Sequence, residues 1–147
     1  MQIQLETHVD QGYLDVKAGF NESLFTKLSP PFPPVKLLRF DGSEKGDLVT
    51  LELNFIFFKQ KWTSEITEDS TTEYEFYFID QGTELPFFLK KWRHKHRVIS
   101  KGIGSIIRDE IEYEAPVGIL TYLLYPALWL QFAFRKPIYQ KIFKRTE

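Results

Sequence analysis

The chain contains no cysteine, which excludes disulfides, thiolate nucleophiles and thiolate metal sites and makes the cytoplasm the expected location. Net charge is nearly absent too. Nineteen basic side chains stand against twenty acidic ones, for a net charge of -1, so no whole-molecule field attracts polyanions and nucleic acid is not an expected partner. The opening "MQIQLETHVD" alternates polar and apolar residues and lacks the basic segment and apolar core of a signal peptide. Histidine is limited to three residues and methionine to one. No G-x-S-x-G element occurs and no serine has an evident activating partner, so no nucleophilic triad is visible. Aromatic side chains, by contrast, make up 16% of the chain and include 14 Phe, an enrichment that calls for large apolar surfaces. At 147 residues the chain reads as one domain over 1–147, long enough to bury a core without cross-links.

Hydrophobic periodicity orders the elements. Ile3, Leu5, Thr7 and Val9 alternate with Gln2, Gln4, Glu6 and His8, the period-2 pattern of a strand with one wet face. In "FNESLFTKLS" Asn21 is placed to cap a short helix. "SPPFPP" then forbids regular structure, because four prolines in six residues remove donors and fix φ. "VKLLRF" reads as a strand ending at the turn "DGSEKGD". The run "DLVTLELNFIFF" puts Val49, Leu51, Leu53, Phe55 and Phe57 on one face, and "TEYEFYFID" groups Tyr74, Phe76, Phe78 and Asp80. Further strands are expected in "KWTSEITE", "LKKWRHKHRVI" and "GSIIRDEIEYE". After "APVG" residues 117 to 143 favour helix, with Pro126 and Pro137 expected to kink or divide it. The result is an α+β arrangement in which a long C-terminal helix covers a curved antiparallel sheet and leaves a cavity beneath it.

The chemistry concentrates in "KKWRHKHRVI". On a strand, Trp92, His94, His96 and Val98 share one face and Arg93, Lys95 and Arg97 the other. Glu110 and Glu112 of the next strand lie on the same side as the basic stripe, so cross-strand pairing accounts for it. The inner face of that strand carries Asp109 and Tyr113. A tight turn at Lys101-Gly102 sets His94 opposite Asp109, and a slip of two residues sets His96 there. Three roles compete for the cluster: a minimal metal site lacking an assured further ligand, a His-Asp general base, and polar anchors in a ligand cavity or a self-satisfied pair.

"LPFFLKKWRHKHRV" followed by "RDEIEYEAPVG" and a long apolar helix resembles the ligand-binding branch of the START-like (SRPBCC) helix-grip superfamily, which includes birch-pollen-allergen-like proteins and polyketide cyclases. The likeness spans nearly the whole chain, with W-x-H-x-H and D-x-I-x-Y-x-x-P-x-G as its most specific parts. It implies a seven-stranded curved antiparallel sheet gripping the C-terminal helix, with short helices after the first strand and a deep apolar cavity. It also implies that Trp92, His94, His96, Asp109 and Tyr113 face that cavity. The iron-ligand set of the superfamily's hydroxylase domains is not recognisable here, and neither metal nor cofactor is expected.

Residues 117 to 134 carry no charge, the lower limit of a membrane span, but Gly118, Thr121, Pro126 and Gln131 interrupt the stretch. A helical projection puts Leu123, Ala127, Leu130, Phe134 and Ile138 on the core side and Tyr125, Trp129 and Phe132 on the outside, where they suit a membrane surface or a homodimer. The expected function is therefore binding of a hydrophobic or amphipathic small molecule (lipid, isoprenoid or polyketide-like). Phe55, Phe57, Phe76, Phe78, Trp92, Leu130 and Phe134 would supply apolar contact, and His94, His96, Asp109 and Tyr113 would orient a polar group. The alternatives are a cyclase, dehydratase or isomerase using His94 or His96 as base with Asp109, and a docking module acting through the helix.

Overall fold

In the computed structural model, which describes residues 1–146, the order is β1 (Gln2–Val9), α1 (Tyr13–Ala18), α2 (Glu22–Lys27), β2 (Val35–Phe40), β3 (Leu48–Asn54), β4 (Lys59–Thr71), β5 (Glu75–Glu84), β6 (Lys91–Lys101), β7 (Gly104–Glu114) and α3 (Gly118–Ile142). The seven strands form one antiparallel sheet in the order β1-β7-β6-β5-β4-β3-β2. Register shifts between Leu37 and Arg39, Thr63 and Ser64, and Ile66 and Glu68 add residues to one strand of a pair, which bends a sheet and deepens its twist. The helices occupy the concave side. The expected capping of α2 is present: Leu24 N–H donates to Asn21 Oδ1 at 3.0 Å.

The period-2 patterns translate directly into burial. Ile3, Leu5, Thr7 and Val9 are buried while His8 is exposed. In β6 Trp92, His94, His96 and Val98 are buried; of the intervening basic residues Arg93 and Arg97 join a ladder across the outer face, and Lys95 sits over the Tyr77 ring. Arg97 meets Glu75 at 2.7 Å and Glu110 at 3.1 Å, Arg93 meets Glu112 at 3.5 Å, and Arg108 meets Glu6 at 2.6 Å.

One strand ends earlier than its hydrophobic run. Beyond Asn54 the chain turns back at Phe55–Phe58, where Phe55 N–H bonds the Phe58 carbonyl and Asn54 Oδ1 accepts from Ile56 N–H at 2.9 Å each. Ile56 takes φ 75°, an uncommon state for a β-branched residue, and Phe57 projects outward at 94% exposure. The shared face expected through Phe55 and Phe57 therefore stops at Leu53.

The helix α3 runs unbroken for 25 residues through Pro126 and Pro137, so of the two outcomes expected at the prolines, a kink or a division, the division does not occur. Its first turn is fixed to β7 instead of being capped by its own side chain. Tyr113 Oη donates to the Thr121 carbonyl at 2.7 Å, and Thr121 Oγ1 accepts the Ala115 N–H at 3.0 Å. All three residues are buried. The inward face consists of Thr121, Leu128, Phe132 and Tyr139.

Two apolar clusters result. One gathers Val9, Val16, Leu24, Phe76, Val98, Ile107, Tyr139 and Phe143, and the other Ile3, Leu5, Trp92, Ile111, Tyr113, Leu128 and Phe132. Along β6 the residues between them are His94 and His96, and along β7 the residue between them is Asp109. Replacing the Thr121 hydroxyl by a methyl (Thr121→Val) leaves the buried Ala115 N–H without an acceptor. Urea unfolding is expected to show a loss of about 1–3 kcal/mol with an unchanged denaturant slope; undiminished stability would contradict the role assigned to this pin.

Candidate functional site

The joint between the two clusters is a chain of hydrogen bonds. The hairpin turns through Lys101–Gly104, with Gly102 at φ 60°, so His96 rather than His94 stands opposite Asp109. Both imidazoles nevertheless reach the same oxygen. His94 Nε2 lies 2.8 Å and His96 Nδ1 2.9 Å from Asp109 Oδ1. On its other side His94 places Nδ1 3.0 Å from Asp80 Oδ2, and Asp80 Oδ1 accepts Trp92 Nε1–H at 3.0 Å. Asp80 comes from β5, where its register partner is His94.

The protonation states follow from these partners. A carboxylate only accepts hydrogen bonds, so both nitrogens of His94 are donors and the ring is an imidazolium. Burial opposes that charge, but Asp80 and Asp109 on either side outweigh it and raise the group to about 9. For His96 burial prevails: Asp109 favours its charged form, the neighbouring His94 and Arg135 oppose it, and its pKa falls below the ordinary imidazole value. Asp109 is buried, which would raise its pKa, yet the two histidines hold it well below the usual carboxylate range. His96 is thus a neutral ring whose Nδ1–H is donated to Asp109 and whose Nε2 carries a bare lone pair.

Beside this joint lies a cavity of about 170 Å³, bordered by the sheet, α2, the Pro-rich segment and α3. Leu51, Leu53, Trp62 and Ile66 line its sheet side, Leu24 and Leu28 its α2 side. From α3 come Leu128, Gln131, Phe132, Arg135 and Tyr139. The His96 ring stacks on Phe78 and is met by Phe20, with centroids at 5.1 and 4.6 Å. Two buried side-chain atoms among the described residues have no hydrogen-bond partner, His96 Nε2 and Tyr139 Oη. Both belong to residues that line this cavity.

The residues expected to form the site divide into two groups. Phe78, Trp92, His94 and His96 line the cavity, with Asp109 directly behind the histidines. The rest lie elsewhere. Phe55 and Phe57 belong to the β3–β4 turn, where Phe55 packs on Phe58, Phe87 and Phe88. Phe76 is absorbed in an apolar cluster, and Tyr113 is spent on Thr121. Leu130 and Phe134 are 61% and 41% exposed, whereas Phe132, expected outside, is 5% exposed and stacks on Trp92. Tyr125 and Trp129 remain at the surface. The helix is thus rotated from its expected phase, because its residues are apolar all round and hydropathy gives almost no bearing.

Sequence reasoning did not assign Asp80, Gln131, Arg135 or Tyr139 to the site. Asp80 already shared a strand face with Phe76 and Phe78, and Gln131, Arg135 and Tyr139 recur every four residues, which places them on one helix stripe. That polar spacing was the usable signal. For metal binding, His94, His96 and Asp109 offer donor atoms within 4.8 Å of one another. Coordination there would require both imidazoles to surrender the protons that tie them to Asp109.

No family model matches the chain. A stretch of 77 residues is 30% identical to serpin A11 of Rattus norvegicus; it covers 52% of this chain, which spans about a fifth (18%) of that protein's length. Similarity to solved structures is more extensive. A Mycobacterium smegmatis protein superposes with a TM-score of 0.70 at 14% identity, covering 99% of this chain and 92% of that one. An aromatase/cyclase from Streptomyces sp. R1128 gives 0.66 at 12% identity over 93% and 89%. Norcoclaurine synthase from Thalictrum flavum, in complex with dopamine and hydroxybenzaldehyde, gives 0.61 at 15% identity over 100% and 89%. With its seven-stranded antiparallel sheet closed over a long C-terminal helix, the chain has a helix-grip fold, shared with these structures.

Proposed function

We propose that this protein binds a compact apolar or amphipathic small molecule in the cavity between the sheet and α3. The observation that carries the reading is a largely apolar chamber of about 170 Å³ with two unpartnered buried polar atoms in its wall. Buried polar groups are almost always hydrogen-bonded, and each one left bare costs about 1–3 kcal/mol. An apolar wall with a few convergent polar groups is the usual composition of a ligand site. The volume is on the scale of an engineered cavity of roughly 150 Å³ that admits benzene, which favours a ligand whose buried part is about one ring. Neighbours of the same fold support the class: one is an aromatase/cyclase and another was solved with dopamine and hydroxybenzaldehyde.

One observation favours a second reading, proton-transfer catalysis in the same cavity. A general base needs a free lone pair and a partner that fixes its tautomer, and His96 has both. His94 is unsuited to that role, since both of its nitrogens already donate. In this reading His96 is the base, Asp109 its orienting partner, and His94 the charge that holds Asp109 in place.

Toluene, titrated into the protein and followed by calorimetry, is expected to bind, and Leu51→Trp, which fills the chamber from β3, is expected to weaken binding at least about tenfold. Binding unaffected by the filled chamber would refute the cavity as the site. The charge state has its own signature. Folding raises His94 from 6.5 to about 9, so the native chain retains a proton that the unfolded chain releases between those values. The stabilisation is complete below pH 6.5 and is lost as pH rises through 9. Unfolding free energy is expected to fall across that window by up to about 3 kcal/mol, with the His94 ring doubly protonated by ¹⁵N NMR at neutral pH. A flat stability profile together with a singly protonated ring would contradict the assignment.

A further inference from the structure

We infer that the polar end of the cavity selects a ligand hydroxyl, which donates its proton to His96 Nε2. This rests on the ligand-binding reading and specifies which chemical group it must accept. The inference follows from the division of protons in the cluster. Asp109 Oδ1 takes one N–H from each ring, and Asp80 takes the second N–H of His94. A second positive charge on His96, with ring centroids only 5.7 Å from those of His94, would be repelled by the first and by Arg135. The proton therefore stays off Nε2, on the far side of the ring from the nitrogen held by Asp109. That ring is 1% exposed, stacked on Phe78 with Phe20 packed against it, and part of the cavity wall. Its lone pair can be satisfied only by a donor.

A carbonyl, ether or carboxylate offers Nε2 no proton. An amide, pyrrole-type or ammonium N–H offers one but presents no lone pair at that nitrogen to Tyr139, whose Oη is also buried and unpartnered with its ring centroid 6.4 Å from that of His96. A hydroxyl satisfies both demands, donating O–H to Nε2 and accepting from Tyr139 Oη. The aromatic neighbours of the imidazole, Phe20 and Phe78, suit a ring as the carrier of that hydroxyl.

The test compares phenol, anisole and toluene by calorimetry on the full chain. Phenol retains the O–H, anisole retains only the oxygen, and toluene has neither. Phenol is expected to bind about tenfold more tightly than the other two. His96→Phe should remove the preference of phenol over anisole, and Tyr139→Phe should reduce it in part. Equal affinity for phenol and anisole, or a preference that survives His96→Phe, would overturn the inference while leaving the cavity reading intact; failure of all three to bind would overturn both. Should His96→Phe not fold, ¹⁵N NMR of the wild-type decides: Nε2 is expected unprotonated and shifted on addition of phenol but not of anisole. A protonated Nε2, or no shift, would overturn the assignment.

Discussion

A buried carboxylate is tolerated only when donors replace the water it has lost, and Asp109 receives both of its replacements at a single oxygen, from two histidines on the neighbouring strand. The rest of the interior is arranged around that demand. A one-residue slip of β6 against β7 would turn both rings to solvent and leave the carboxylate stranded among Ile107 and Ile111, so the pair specifies register more sharply than apolar side chains could. The same bonds create a second obligation. Once His94 has given one N–H to Asp109, its burial requires a partner for the other, and Asp80 on β5 provides it while also engaging Trp92. Three consecutive strands are thereby linked across their concave faces by side chains alone.

This linkage also separates the apolar interior into two clusters. A continuous apolar filling would bury more surface, and buried ion pairs seldom improve on such packing. Replacing the central strip by imidazoles and carboxylates therefore sacrifices stability at the place where the cavity lies. The unpartnered atoms of His96 and Tyr139 sit beside that strip, as expected if the interior is shaped for a guest rather than for maximal packing.

The strands were legible because each side of the sheet has a different solvent, so burial leaves a period-2 imprint. In β6 and β7 the imprint was strong enough to place His94, His96 and Asp109 together and to reduce their pairing to two registers. Sequence did not choose between them, because the choice depends on whether Ile103 belongs to the strand or to the turn. The run "NFIFF" failed for a related reason. Continuous apolar residues carry no alternation that marks where a strand ends, and the turn is specified by Asn54 binding the Ile56 amide. Helix α3 lacked an imprint altogether. Its outer face is as apolar as its inner one, with Tyr122, Leu123 and Leu130 all exposed, so a projection weighted by hydropathy rotated it wrongly. The polar residues set the phase: Thr121 anchors the first turn, and Gln131, Arg135 and Tyr139 face the cavity.

The two histidines of W-x-H-x-H show why a shared residue type on one strand face does not imply a shared role. They lie on one face of β6, are equally enclosed, and touch the same oxygen, yet their second nitrogens meet different surroundings. His94 finds a carboxylate and becomes a fixed cation; His96 finds the aromatic wall and remains neutral. Burial keeps His96 neutral, and the cation already beside Asp109 reinforces this by disfavouring another proton in the same low-dielectric space. Asp80 thus bears on His96 indirectly: by securing the charge of His94, it adds to the burial that keeps the His96 lone pair free. An interior built this way holds the bare lone pair of His96 Nε2 in a fixed orientation in the cavity wall, set by the bond that Nδ1 makes to Asp109.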